Sequence, residues 1–190
     1  MAREHGGYQS VHDAIIGTAI DLIVSRGVSE ASLAEISTAA KLSKGTIYYY
    51  YRTKDELVNA VADLSFAHTT DAIFNWIAGL SKEKNDGAAL DPLFEALTAE
   101  EDMLRLHAEL LLDAMKNTSA IRERMAQKYE EWTVMLDVGI LKLPIRLHKE
   151  LRELAKQFFV VLDGYAAAYC MGVSADKAAA MRLLRVREDL

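Results

Sequence analysis

A chain of 190 residues that is 51% apolar, has only two prolines and carries a net charge of −6 can bury one large core or two small ones, and its composition favours helices. Net acidity argues against a nonspecific nucleic-acid coater and a basic membrane-surface protein. No run approaches the about 18 uncharged apolar residues of a membrane span, the opening MAREHGGYQS lacks the apolar core of a signal peptide, and the single cysteine, Cys170, excludes an internal disulfide and fits a reducing cytoplasm.

Residues 1–9 are polar, include Gly6 and Gly7, and are expected to be disordered, with Arg3 and His5 free to touch a minor groove. A first helix is expected from about Ser10 to Arg26. Val11, Ile15, Ile16, Ala19, Leu22 and Ile23 form its apolar face, and Gly27 ends it. His12 falls at the surface or core edge. Ser32 and Glu35 make a capping box ahead of a short second helix, whose apolar face is Leu33, Ile36 and Ala40. Lys41-Leu42-Ser43 breaks the period. Ser43 then caps a third helix from about Lys44 to Tyr51, and Thr53 with Glu56 opens a long fourth one from Lys54 to about Leu80. Two short helices joined by a three- or four-residue turn form a helix-turn-helix, whose second helix enters the DNA major groove.

Residues 81–87 read as a polar loop. Asp91-Pro92 starts a helix. Thr98 and Glu101 form a box opening another, to about Lys116, with Met103, Leu106, His107, Leu110 and Ala114 on one face. Asn117-Thr118-Ser119 breaks it. The next helix is expected from about Ala120 to Leu143, loosened by Asp137-Val138-Gly139 and ended by Pro144. The last two run from about His148 to Met171 and from Ala175 to Asp189, parted by Gly172 and Ser174. The apolar surface of the first of these is too wide for one core, and Gly164 and Ala168 are small enough for close helix approach. A second burial surface is the expectation.

No acidic residue lies between Ile36 and Lys54, whereas Lys41, Lys44, Arg52 and Lys54 fall in that span. Ser43, Thr46, Tyr48, Tyr49 and Tyr50 add hydroxyl donors of the kind that hold phosphate oxygens. Gly45 lets a phosphate approach the backbone, where free N–H groups and the helix dipole favour an anion. A two-turn helix cannot bury four tyrosines. Ile47 and Tyr51, at i and i+4, suffice for its buried side, which leaves Tyr48, Tyr49 and Tyr50 exposed. A tyrosine-rich protein contact is the alternative. Residues 1–57 carry six basic and seven acidic side chains, the rest sixteen and twenty-one. Positive charge is therefore local, and DNA binding would depend on a well-fitted site.

The stretch LSKGTIYYYYRTKDEL resembles the signature of TetR-type bacterial transcriptional repressors, and SRGVSEASLAEISTAA resembles the same family's first-helix end and second helix. The resemblance covers about Val11 to Val61. It implies an all-α protein of about nine helices, with residues 1–57 a helix-turn-helix DNA-binding domain and 58–190 a helical effector-binding and dimerisation domain. It puts Ser32, Thr46, Tyr48 and Lys54 at phosphate-contacting positions, with Tyr50 on the DNA backbone. Lys44 and Tyr49 fall where bases are read, and Ile47 and Tyr51 in the core. Ser43 and Gly45 complete the DNA-binding set.

The family also implies a homodimer on a palindromic double-stranded operator. Leu162, Gly164, Ala168, Met181 and Leu184 are the expected dimer interface, LDGY at 162–165 resembling a recurrent piece of that region. Ordinary monomer core is the alternative. A small effector would release the DNA by tilting the fourth helix. No motif encodes it. Phe66, Phe74, Met103, His107, Leu110, Trp132, Phe158 and Tyr165 are candidates to line a cavity for an apolar or amphipathic molecule, and plain core is the alternative for each. Glu109 and Asp113 suit a cation or a solvated face. His68 and His107 have no third ligand at metal spacing. No nucleophile–base pair or glycine-rich phosphate loop supports an enzyme, and no cofactor is implied. A helical adaptor that kept this fold but lost DNA binding is the competing reading.

Overall fold

The computed structural model describes residues 3–81, 87–116, 119–173 and 175–186, with the backbone alone for residues 3–9. Among the described residues all regular structure is helical. The α-helices are α1 (Arg3–Arg26), α2 (Leu33–Ala39), α3 (Lys44–Tyr50), α4 (Lys54–Gly79), α5 (Asp91–Leu97), α6 (Glu101–Ala114), α7 (Arg122–Ile140), α8 (His148–Cys170) and α9 (Lys177–Arg182). Single 3₁₀ turns occupy Val28–Glu30 and Ile145–Leu147. No described helix is long and apolar enough to cross a membrane.

The chain divides into two compact units, Met1–Ser65 with Glu109–Glu123, and Phe66–Ala108 with Arg124–Leu190. The first therefore runs past the expected limit at Leu57. Val58, Val61 and Ala62 are as buried as Leu57 itself, so the opening turns of α4 belong to that core. Its other members include Ile15, Ile16, Ala19 and Ile23 from α1, Leu33 and Ile36 from α2, and Ile47 from α3. Gly27 ends α1 at φ +84°, a backbone state that favours glycine. A β-carbon there would also press on the Glu109 carboxylate, 3.1 Å away.

The second unit is built on large side chains. Trp132, Phe94, Phe158, Ile73, Leu90 and Leu93 are fully buried. The Trp76 indole N–H donates to the Ala89 carbonyl at 2.6 Å, which ties α4 to the start of α5.

Several helix limits differ from expectation. α1 begins at Arg3, so the expected disordered arm is helical from there. Once a helix is nucleated each further residue gains one hydrogen bond, enough to extend through Gly6 and Gly7. Thr98 closes α5 rather than opening α6, because its hydroxyl donates back to the Phe94 carbonyl at 2.7 Å. Gly139 does not loosen α7; it is buried where α7 meets Trp76 and Ile77. α9 starts later than expected because Asp176 caps it, its carboxylate accepting from the Ala179 N–H at 3.1 Å. After α9 the chain turns away, and the Val186 N–H donates to the Gly87 carbonyl. The expected loop at 82–86, the break at Asn117-Thr118, the cap at Ser174 and the helix end at 187–189 lie outside the described residues.

Candidate nucleic-acid interface

The helix-turn-helix is assembled from local hydrogen bonds around two seven-residue helices, each too short to persist alone. The Ser32 hydroxyl accepts from the Glu35 N–H at 3.2 Å and the Glu35 carboxylate reaches back to the Ser32 N–H at 3.1 Å, completing the expected capping box of α2. Those bonds, led by the one from the Ser32 hydroxyl, hold the Glu35 carboxyl below its usual range. The turn between α2 and α3 passes through Lys41 at φ +55°, the one described non-glycine residue with a positive φ. The Leu42 N–H closes it onto the Ser37 carbonyl at 2.9 Å.

Ser43 then caps α3. Its hydroxyl accepts from the Thr46 N–H at 3.0 Å and meets the Thr46 hydroxyl at 2.8 Å. The N–H groups of Lys44 and Gly45 make no hydrogen bond among the described residues, as helix geometry requires of a first turn. Ser43, Lys44 and Gly45 are exposed and Thr46 is half-buried. Ile47 is buried and holds α3 to the core. Tyr49 is 74% exposed and Tyr48 is 52% exposed. Tyr50, expected to be exposed with them, is instead half-buried, because its ring lies against His12 of α1 at 6.3 Å and edge-on to Tyr49 at 5.4 Å. Thus one face of α3 offers hydroxyls, aromatic rings and a lysine, with no acidic side chain on the helix.

Two candidates are already engaged. The Lys54 ammonium donates to the Ser29 carbonyl at 2.7 Å, leaving two of its three donors. The Ser32 hydroxyl is committed to Glu35, to whose carboxylate it also donates at 2.7 Å. Lys41, Lys44 and Arg52 are exposed and form no ion pair with a described residue. The expected Thr53 cap of α4 is present, its hydroxyl accepting from the Glu56 N–H at 3.1 Å, while the Glu56 carboxylate accepts from the Arg52 N–H at 2.7 Å, so only the return bond of the box falls one residue earlier than expected.

The remaining candidates separate into distinct settings. In the second unit Phe66 and Trp132 meet edge-on at 5.9 Å, and Phe94 joins Phe158 and Tyr165 at 6.2 and 5.5 Å. Phe74 is 58% exposed. Met103 is half-buried, and Leu110 falls in the first unit. His107 gains partners that sequence spacing did not reveal. Its Nε2 lies 2.8 Å from Asp163 Oδ1, and the Tyr129 hydroxyl donates to both oxygens of that carboxylate at 2.8 and 2.9 Å. A carboxylate accepts, so His107 Nε2 carries the hydrogen. Burial, then the charge of Asp163, raises the Tyr129 hydroxyl above its usual range. Asp163 and Tyr129 were missed because they lie 34 residues apart and only the packing of α7 on α8 joins them. Glu109 is partly buried, which raises its carboxyl, and Asp113 pairs with Lys116 at 3.1 Å. Among the described residues no three His, Cys, Asp or Glu cluster as a metal site would require.

The expected dimer residues split. Leu162, Met181 and Leu184 are buried within this chain's own core, because α9 packs back on α8. Ala168 is half-buried and Gly164 is exposed. The exposed stripe is instead Val160, Gly164 and Ala167 of α8, continued by Met171 just past its end, at the i, i+4, i+7 and i+11 spacing of one helix face.

Residues 15–61 match the model of the family described as bacterial regulatory proteins, tetR family. The chain is 37% identical over 57 residues to the HTH-type transcriptional repressor Rv3405c of Mycobacterium tuberculosis, a match covering 30% of each chain. It is 32% identical over 122 residues to the HTH-type transcriptional regulator TtgR of Pseudomonas putida, covering 64% of this chain and 52% of that one. The chain thus spans about half or less of the length of these curated relatives. The structure of a member of the TetR family from Streptomyces coelicolor has the same fold, with a TM-score of 0.71 at 19% identity over 92% of this chain and 95% of that one.

Proposed function

We propose that this chain, whose residues 15–61 match the tetR family of bacterial regulatory proteins, is a sequence-specific transcriptional regulator of that family that reads DNA with α3. It acts as a repressor on a palindromic operator. The observation that carries this reading is the exposed face of α3: Lys44, Gly45, Thr46, Tyr48 and Tyr49 beside a capped helix start, with no carboxylate between Ile36 and Lys54. Backbone N–H groups and hydroxyls there suit phosphates, while Lys44 and Tyr49 suit base edges.

One such module covers one half-site, so the regulator works as a homodimer with recognition helices about 34–36 Å apart or a multiple of that. The α8 stripe of Val160, Gly164, Ala167 and Met171 supports a partner surface formed by a second copy. A small apolar or amphipathic effector binds among the helices of the second unit and releases the DNA by tilting α4, the one helix that runs from Lys54 to Gly79. The reading is of a binding protein and needs no cofactor.

Selection of bound sites from random duplex DNA at near-physiological salt tests it. A palindrome is the expected product. A folded, dimeric protein that enriches no sequence would overturn the reading and favour the adaptor.

A further inference from the structure

The DNA-facing side chains of α3 sit on a helix of two turns, and their aim depends on what holds its ends. The N-terminal end is held by Ser43 and the middle by Ile47. The C-terminal end rests on Tyr51, whose ring is buried and whose backbone has turned extended at φ −137°. The Tyr51 hydroxyl meets His12 Nε2 on α1 at 3.0 Å, across 39 residues of chain. Burial raises that hydroxyl above its usual range, so it keeps its hydrogen. The same imidazole lies against the Tyr50 ring at 6.3 Å, and Tyr50 meets the exposed Tyr49 ring edge-on. Asp13 Oδ1 stands 3.4 Å from the other ring nitrogen. A line of rings thus runs from α1 through Tyr50 to Tyr49.

We propose that His12 is a positioning residue for DNA reading: it fixes the C-terminal end of α3 through the Tyr51 hydroxyl and sets the orientation of Tyr49 through Tyr50. This rests on the assignment of α3 as the recognition helix. A reading side chain must be held within about 0.5 Å of its working geometry by the groups behind it, and a two-turn helix supplies little of that rigidity itself. His12 touches no DNA in this scheme.

Two measurements separate the clamp from its use. Amide hydrogen exchange is followed in the free full-length protein for wild type, Tyr51→Phe, His12→Leu and His12→Gln. Tyr51→Phe keeps the buried ring and loses only the hydroxyl, so the fold survives. Exchange at the Tyr49, Tyr50 and Tyr51 amides is expected to rise roughly three- to tenfold in Tyr51→Phe and His12→Leu. His12→Gln, whose amide can take the hydroxyl bond, is expected to restore protection. Unchanged exchange in Tyr51→Phe overturns the proposal. Affinity is then measured for the duplex that wild type enriches from a random pool. The two disruptive variants are expected to bind it roughly three- to tenfold more weakly and the double variant no worse than either. Raised exchange with unaltered affinity also overturns the positioning role. If wild type enriches no duplex, the DNA reading fails and the positioning role falls with it, while the exchange data still decide whether the clamp exists.

Discussion

Gly139 of α7 lies so close to Trp76 of α4 that a β-carbon at this position would collide with the indole Cζ3 and stand 2.9 Å from Cη2. The indole cannot simply swing aside, because its N–H is held by the Ala89 carbonyl at 2.6 Å. Gly139→Ala is therefore expected to destabilise the protein by about 1–3 kcal/mol, the usual cost of an extra carbon in a packed core. Urea unfolding measures it. A midpoint equal to wild type would mean that α4 and α7 are not packed this closely. Helix propensity alone predicts the opposite sign, since alanine is favoured over glycine in a helix by up to about 1 kcal/mol.

Gly45 presents the reverse case. The nearest atom to a β-carbon there is Ser43 Oγ at 3.7 Å, ordinary contact distance. The fold of the free protein does not require glycine at this position. Gly45→Ala is expected to stabilise the protein by up to about 1 kcal/mol and to weaken DNA binding at least roughly tenfold, because the added methyl keeps a phosphate from the backbone. Thermal unfolding and titration of the selected duplex give the two numbers. Undiminished affinity would remove the α3 N-terminus from the DNA contact.

Ser32→Ala is expected to cost about 1 kcal/mol at neutral pH through loss of the α2 cap. The cost should depend on pH. Glu35 is held below its usual value in the folded protein, first by the Ser32 hydroxyl and next by the Ser32 N–H. A depressed carboxyl contributes stability above its unfolded value, and loses it as pH falls through the lower folded value. The difference between wild type and Ser32→Ala is therefore expected to be constant near neutrality and to shrink below about pH 4.5. Unfolding measured from acid to neutral pH checks this; a difference that grows on acidification would contradict the capping box.

Gly164 faces open space: among the described residues no group outside its own helix backbone lies within 4 Å of where a β-carbon would stand. Gly164→Leu should therefore leave the single chain folded. If the α8 stripe is the face used by a second copy, the leucine holds the two helices apart, and light scattering at micromolar concentration is expected to read a monomer with unchanged helical circular dichroism. An intact dimer would move the interface off this stripe.

Much of the first unit was legible because its determinants are local. Ser32 with Glu35, Ser43 ahead of α3, and Gly27 after α1 act within a few residues, and these caps and turns read the same in sequence and structure. The alternation of buried Ile47 with exposed Tyr48 and Tyr49 followed from helix period alone. Where short-range rules competed, the sequence misled. Thr98 can cap forward or bond backward, and the carbonyl of Phe94 decides. Gly139 reads as a weak point until Trp76 is seen beside it.

The chain's own residue order determined a helical fold, a helix-turn-helix and an acid-free, hydroxyl-rich face on α3, since each depends on contacts within three or four residues. Tertiary structure alone decided that Leu162 and Leu184 face inward, that His107 meets Asp163 and Tyr129, and that His12 closes on Tyr51. The histidine pairings join side chains 22 to 56 residues apart, and no local periodicity records which faces of two helices will be pressed together.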